Sequence, residues 1–212
     1  MTDSVQTESS GEQIEAILEY WFKGSSAEPD HAPELAKKWF VGTPDQDREL
    51  DVRFGGLVAA AAAGKLDSWA ETPRGRLALI ILLDQLPRSL FRSRPEAFAQ
   101  DPRALELCLG GLQQRQDETL APLERIFLLM PMQHAESREI QARSVEACER
   151  LAATDANKSI AALLRNTLDS ALEHKAIVDR FGRFPHRNRT LDRESTDEEI
   201  AFLAAGGSSF GQ

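Results

Sequence analysis

Helix-start signals recur along this sequence and restrict its fold more than any other feature. Each combines a capping residue with a proline in the first turn, an arrangement that suits helix N-termini. They are found at Thr43–Pro44 and Thr72–Pro73, and Asp101 and Pro102 also predict a helix start. Apolar residues follow at three- and four-residue spacing, as in Leu77, Ile80 and Ile81. No segment alternates like a strand bounded by hairpin turns, so the sequence predicts an all-α fold.

Two later prolines predict helix ends, because proline lacks an N–H and its ring clashes with the preceding helical turn. We expect the helix that begins near residue 73 to end at Pro87. Pro131 should interrupt another helix after its apolar stretch. A new helix would then cover residues 132–153, with Glu136 on its buried side.

The last long helix is predicted over residues 158–180. His174 falls on its apolar stripe at three- and four-residue spacing, so we expect this imidazole to point inward. Nearer the start of the chain, Trp39 and Phe40 are interpreted as a core anchor, since large aromatic side chains are buried more often than not.

The composition is that of a globular domain. The chain has 212 residues, of which 42% are hydrophobic and 28% charged. This length allows one large domain or two small ones, and nothing in the interior resembles a linker. We expect a disordered polar N-terminus over residues 1–10, and residues 11–212 to form a single-domain antiparallel helical stack.

The charge and the apolar pattern restrict the partners. A formal net charge of −9 argues against nucleic acid and anionic membranes as partners, because both are held mainly by positive surface. No apolar run approaches the length of a membrane span, and the first residues lack the regions of a signal peptide. We therefore expect a cytoplasmic protein. Cys108 and Cys148 lie on separate helical patterns and are predicted to be reduced core residues.

An arginine-rich turn near the C-terminus is the clearest functional signal. The segment RFGRFPHRNR, residues 180–189, has four arginines, a histidine and two phenylalanines but no acidic residue. Its glycine and proline favour a fixed turn, whose phenylalanines could enter the core while its arginines face something negative. We interpret it as the wall of a site.

Other ionisable groups fall at helix ends or on inward faces, where a helical protein can direct side chains into one cleft. Histidines and carboxylates of this kind can act as acids, bases or orienting groups, and arginines can hold an anion. The candidate catalytic residues are His134, His174, His186, Glu136 and Asp84. The candidate ligand-binding residues are Arg88, Arg92, Arg183 and Arg187.

Each candidate also has a purely structural interpretation. Asp84 could be a buried ion-pair partner of Arg88 or Arg92. Either His134 or Glu136 could cap a helix. His174 could be a core histidine with satisfied hydrogen bonds, and the arginine-rich turn could fasten the last helix to the body.

Metal and nucleophile chemistry are less well supported. His134, Glu136, His174 and His186 could bind a divalent ion, but no fixed-spacing metal motif is present and nearby arginines would repel a cation. Neither cysteine has an activating neighbour, and no serine lies in a GxSxG turn. The substring RFGRF is similar to an RNA-binding strand motif, but that motif requires a sheet. No metal or cofactor is predicted.

Four segments carry a resemblance to a known family. They are LALIILLDQLPRSLFR at 77–92, AFAQD at 97–101, PMQHAES at 131–137, and RFGRFPHRN at 180–188 followed by LDREST. In this order they resemble the bacterial family called domain of unknown function 924, from Tyr20 to Phe210. The chain departs from the family pattern at Ser89, Ala135 and Asp192, where the family usually has Asn, Ser and Gly. The resemblance implies an all-helical fold similar to tetratricopeptide-type stacks, and it implies no activity.

Two classes of function follow from these patterns. In the first, the protein binds or turns over a small anionic ligand, with arginines as the clamp and histidines as acid or base. In the second, a helical scaffold grips a peptide or protein partner on its concave face. A closed polar cavity favours the first, and an open apolar groove favours the second.

Overall fold

The prediction of an all-α protein is confirmed by the structure, a computed structural model that describes residues 9–22, 32–154, 156–208 and 210. Within those ranges no strand occurs. The helices are α1 (Ser10–Phe22), α2 (Ala32–Val41), α3 (Pro44–Ala62), α4 (Pro73–Ile80), α5 (Leu86–Leu90), α6 (Asp101–Gln113), α7 (Pro122–Gln133), α8 (Arg138–Ala152), α9 (Lys158–Phe181) and α10 (Asp197–Ala204). Short 3-10 helices cover Asp67–Glu71, Pro95–Ala97, Gln116–Thr119 and Pro185–Arg187.

The division into domains stays a prediction. Most of the N-terminal segment expected to be disordered, residues 1–8, lies outside the described residues, whereas Ser10 already belongs to α1. The tetratricopeptide-like stacking also stays a prediction.

The predicted caps form as expected at two helix starts. The Thr43 hydroxyl accepts a hydrogen bond from the Gln46 N–H at 3.2 Å, and the Thr72 hydroxyl accepts one from the Gly75 N–H at 3.1 Å. Each satisfies one of the backbone donors that a helix start leaves free. These caps fix the starting points of α3 and α4.

The centre of the fold is the continuous helical segment from α4 through α5. Every residue from Gly75 to Pro87 is buried, whichever face of the helix it occupies. A helix that is buried on all sides needs other elements around it, and α4 packs against α1, α6 and α7. Asp84 therefore lies in the interior with no exposed surface.

The expectation that Pro87 ends this helix is wrong. Ile81–Gln85 form a π-helical turn, in which the Leu86 N–H donates to the Ile81 carbonyl five residues back. The chain then continues as α5 with Pro87 in its first turn. A proline is tolerated at a helix start because its missing N–H has no helical partner there, and the widened turn provides such a start inside a longer helix.

The expectation at Pro131 is also wrong. Helix α7 continues through this proline to Gln133, since the segment Ile126–Met132 is buried and its packing outweighs one lost backbone hydrogen bond. Helix α8 begins only at Arg138, where the Ser137 hydroxyl accepts from the Ile140 N–H. Glu136 thus precedes α8 instead of lying on its buried face.

The segment that follows α9 packs back against this helix. Gly182, at φ 73°, ends this helix in the left-handed conformation that glycine adopts without strain. A second apolar cluster follows, in which Phe184 packs with Ile177 and Val178 beside Phe210. The arginine-rich turn is therefore anchored by its phenylalanine, as the sequence indicated.

None of the helices among the described residues is both long and apolar enough to cross a lipid bilayer.

Candidate functional site

A cavity of about 300 Å³ brings together six of the nine predicted site residues, and we call it the histidine cavity. The six are Arg88, Arg92, His134, His174, His186 and Arg187. Aromatic and apolar residues form a large part of the remaining wall, contributed mainly by α1, α2 and the C-terminal segment: Trp21, Trp39, Phe40, Met130 and Phe210. Trp39 is partly buried, but Phe40 is 57% exposed, so the core-anchor interpretation of this pair fails for Phe40.

Asp84 lies directly behind the cavity wall and orients His134. Its Oδ1 is 2.7 Å from Nδ1 of His134, and its Oδ2 accepts a hydrogen bond from the Gln85 amide. Burial favours a neutral Asp84, but the charge of Arg88 and the hydrogen bond from His134 outweigh burial and hold its pKa below the usual value. The carboxylate is ionised and can only accept, so the proton of His134 is on Nδ1.

His134 itself is uncharged at neutral pH. Burial and the charge of Arg88 lower its pKa, although Asp84 acts in the opposite direction. With Nδ1 protonated, Nε2 carries a lone pair, and no described residue forms a hydrogen bond with it. A carboxylate that fixes one imidazole nitrogen while the other faces a cavity is the geometry of a general base.

His174 repeats this arrangement with a backbone partner. Its Nδ1 donates to the Ser170 carbonyl oxygen one helical turn earlier, at 2.7 Å. The ring stacks on Phe210 at 3.7 Å between centroids and lies 6.1 Å from the ring of His134. Burial, together with His134, lowers the pKa of His174 to about 3, so this second Nε2 is also an acceptor at neutral pH.

His186 is the third imidazole of the cavity wall. Its Nδ1 is enclosed and has no hydrogen-bond partner among the described residues. Burial and the charge of Arg187 lower the pKa of His186 to about 4. Its ring packs between Phe184 and Phe210, with centroids 5.7 and 5.8 Å away.

Asp101 links the two most buried arginines of the cavity. Its carboxylate accepts from Arg88 at 3.0 Å and from Arg187 at 3.3 Å. Arg187 also donates to the His134 carbonyl oxygen at 3.2 Å and lies over the Phe98 and Phe184 rings. Burial lowers the pKa of Arg187 to about 10, against the opposing charge of Asp101, so it stays charged at neutral pH.

Arg92 completes the positive part of the wall near the rim. Its guanidinium pairs with Asp47 at 2.7 Å, and its side chain is 45% exposed. The three arginines of the wall are thus balanced by three aspartates, Asp84, Asp101 and Asp47, that stand behind or beside them. No acidic residue is among the described residues that line the cavity.

Besides Asp84, which stands behind the wall, two predicted site residues lie outside the cavity. Glu136 pairs with Arg193 at 2.6 Å and accepts the Phe184 N–H at 2.8 Å, which holds the arginine-rich turn in place. Arg183 forms a bidentate pair with Glu199, at 2.7 and 2.8 Å. Arg183 thus has the fastening role that the sequence left open for the arginine-rich turn, whereas Glu136 does not cap a helix, because Ser137 caps α8.

Asp192 occupies a position where the family resemblance expects glycine. Its φ of 52° is in the left-handed region, which is costly for a residue with a side chain. The departure from the family pattern therefore places a residue with a side chain in a backbone conformation that favours glycine.

Several residues of the candidate site were missed by the sequence analysis. Asp101 is one, although two buried arginines in a chain with few inward carboxylates were a signal that such a partner exists. Others are the polar wall residues Gln85, Gln133 and Ser170, which no spacing rule identifies. Phe210, near the end of the chain, gave no periodic signal at all.

Metal ligation finds no geometric support in the part of the chain that the structure describes. No group of three or more histidine, cysteine, aspartate or glutamate side chains is placed there to hold an ion.

Comparisons with known proteins agree with the motifs. The profile of a family described as "Bacterial protein of unknown function (DUF924)" matches residues 17–207. A solved structure of a protein of unknown function from Agrobacterium tumefaciens is similar over 93% of this chain and 100% of that chain, with 33% sequence identity and a TM-score of 0.78. No curated protein matches significantly. The chain therefore belongs to the bacterial family of unknown function DUF924.

Proposed function

We propose that this protein binds a small anionic molecule in the histidine cavity. The observation that carries the proposal is the composition of the wall, which has three arginines and three imidazoles and no carboxylate among its described residues. A cavity of about 300 Å³ is at the lower end of the size range of small-molecule sites, which favours a metabolite over a peptide. The aromatic part of the wall would exclude water and strengthen the attraction between the anion and the arginines.

The neutral imidazoles must change their protonation when an anion binds. His134 and His174 both present an Nε2 lone pair, and two lone pairs would repel an anion. Their depressed pKa values rise when a negative charge arrives beside them. Binding should therefore take up a proton, and the affinity should increase as the pH falls.

His134 is the group that we propose exchanges this proton. Asp84 fixes its Nδ1 and stabilises the imidazolium that forms, while Nε2 faces the ligand. The same exchange would let His134 act as an acid or base if the bound molecule reacts.

Binding of inorganic phosphate and acetate tests the proposal. Each is added at up to about 10 mM, ten times the weak end of the range usual for enzyme substrates, while the imidazole resonances are followed by NMR. We expect shifts at His134 and His174. Calorimetry in two buffers of different ionisation enthalpy should reveal proton uptake at pH 6.

Two arginine variants provide the matched control. Arg92 lines the cavity and Arg183 does not, yet each pairs with one carboxylate. Arg92→Gln should weaken anion binding by up to about tenfold, and Arg183→Gln should leave it unchanged. The proposal is wrong if neither anion shifts any of the three imidazoles, or if both variants weaken binding equally.

A further inference from the structure

A second, apolar cavity adjoins the histidine cavity. It has a volume of about 250 Å³ and lies between α2, α7 and α9, with Ala36, Ile126 and Leu163 on its wall. The two cavities share five wall residues, so they meet along one face. The shared residues are Trp39, Phe40, Met130, Gln133 and Ser170.

The polar groups of the second cavity are mostly occupied by internal hydrogen bonds. The Thr167 hydroxyl donates to the Leu163 carbonyl oxygen at 2.9 Å, and the Ser170 hydroxyl donates to the Gln133 amide oxygen at 3.2 Å. The Gln133 amide nitrogen lies 3.7 Å from Sγ of Cys148. Asn166, the other polar wall residue, is exposed to solvent. A ligand segment placed deeper in the cavity would find few free polar partners, which favours a hydrocarbon chain.

The charge balance of the histidine cavity limits the net charge that the polar end of such a ligand can carry. Three arginines face three aspartates, and the imidazoles are neutral. One negative charge can be accommodated by protonating one imidazole, whereas two would need a second proton on a group 6.1 Å from the first. The site therefore suits a monoanion better than a phosphate ester.

We propose that the ligand is a monocarboxylic acid with a hydrocarbon chain, bound with its carboxylate in the histidine cavity and its chain in the apolar cavity. This inference rests on the proposed function, because it assigns a ligand class to the same site. At about 30 Å³ for each water-sized group, 250 Å³ accommodates on the order of eight methylene groups. The chain would therefore have about six to ten carbons.

A series of carboxylates of increasing length tests this inference: acetate, butanoate, hexanoate, octanoate, decanoate and dodecanoate, each below its micellar concentration. Each added methylene should lower the Kd about fourfold, as expected for burial of one CH₂, until the cavity is full. The gain should stop near ten carbons. Octanol, which has the chain but no charge, should bind at least tenfold more weakly than octanoate.

Three variants locate the chain. Leu163→Phe fills the apolar cavity and should weaken octanoate at least tenfold without changing acetate. Leu168→Phe, on the same helix but outside the wall of either cavity, should change neither. If Leu163→Phe does not fold, Ala36→Leu narrows the cavity from the side of α2 and should have the same effect.

The possible results separate the two proposals. If acetate and octanoate bind equally well, the inference about the chain is wrong while the anion site stands. The same conclusion holds if Leu163→Phe and Leu168→Phe weaken octanoate alike. If octanol binds as tightly as octanoate, the carboxylate does not contribute to binding of the chain, and the inference about the ligand fails. The anion site itself fails only if acetate and phosphate shift none of the three imidazoles.

Discussion

Asp84 and His134 form a 2.7 Å hydrogen bond although fifty residues separate them in the sequence. The bond joins the π-helical turn Ile81–Gln85 to the end of α7. Asp84, which has no exposed surface, therefore fixes the orientation of His134 in the cavity wall. Removing the acid should therefore affect both the stability of the fold and the protonation of the site.

The variant Asp84→Asn should lower the free energy of unfolding by about 3 kcal/mol, the low end of the cost of breaking a buried ion pair. Arg88 would keep Asp101 as a partner, which limits the loss. The new amide group would also oppose a donor, because both His134 and Gln85 donate to this carboxylate. Urea unfolding followed by circular dichroism measures the change.

Asp47→Asn is the control for this variant. It breaks a pair with Arg92 in which the arginine is 45% exposed, and exposed pairs contribute less than about 1 kcal/mol. Equal losses of unfolding free energy in the two variants would show that the buried network of Asp84 stabilises the fold no more than an exposed ion pair does.

The stability should fall as the pH drops below about 6.5, because His174 has a folded-state pKa of about 3. Between these two values the unfolded chain binds a proton at this position and the folded protein does not, so stability rises with pH there. One such group contributes up to about 1.4 kcal/mol per pH unit. Unfolding curves at pH 7, 6 and 5 measure the slope, before most carboxylates titrate.

His174→Gln should reduce that slope by the equivalent of one proton. The substitution removes the titrating group and keeps a hydrogen-bond donor near the Ser170 carbonyl oxygen. An unchanged slope would mean that His174 protonates as readily in the folded protein as in the unfolded chain.

The two cysteines should be unreactive in the folded protein. Cys108 and Cys148 are both free and have no exposed surface. Burial raises the pKa of both thiols, that of Cys148 to about 11, so neither forms a thiolate at pH 8. Ellman's reagent should therefore modify them only as fast as the protein unfolds. Rapid modification without denaturant would contradict this prediction.

Asp192→Gly should stabilise the protein by up to about 1 kcal/mol. The residue has a φ of 52°, and glycine adopts this conformation without a Cβ penalty, although it also gains freedom in the unfolded chain. Asp192→Ala keeps the Cβ and should give no such gain. Thermal unfolding of the two variants separates relief of backbone strain from loss of the carboxylate.

Much of the fold could be predicted from the sequence, because caps and apolar spacing are local properties. The starts of α3, α4 and α9 and the inward direction of Asp84 and His174 follow from such patterns. Pro87 and Pro131 were misinterpreted for a physical reason. Whether a proline ends a helix depends on the packing around it, which no local window contains.

The candidate site could be predicted only in part. Histidines and arginines at helix ends identified six residues that share one cavity. Glu136 and Arg183 had the same local signals. Their ion-pair partners, Arg193 and Glu199, come from later segments of the chain and hold them away from the cavity. A protein partner, the alternative to a small ligand, stays a prediction.

The π-helical turn makes the centre of the protein sensitive to the number of residues as well as to their identity. The Leu86 N–H donates to the Ile81 carbonyl across five residues, so deleting Leu82 would turn this bond into a regular four-residue one and leave Arg88 on its present face. Asp84, inside the turn, would shift around the helix axis. The shortened helix would have more uniform backbone hydrogen bonding, but its acid would point away from His134. A fully regular helix at this place would therefore not hold Asp84 against His134.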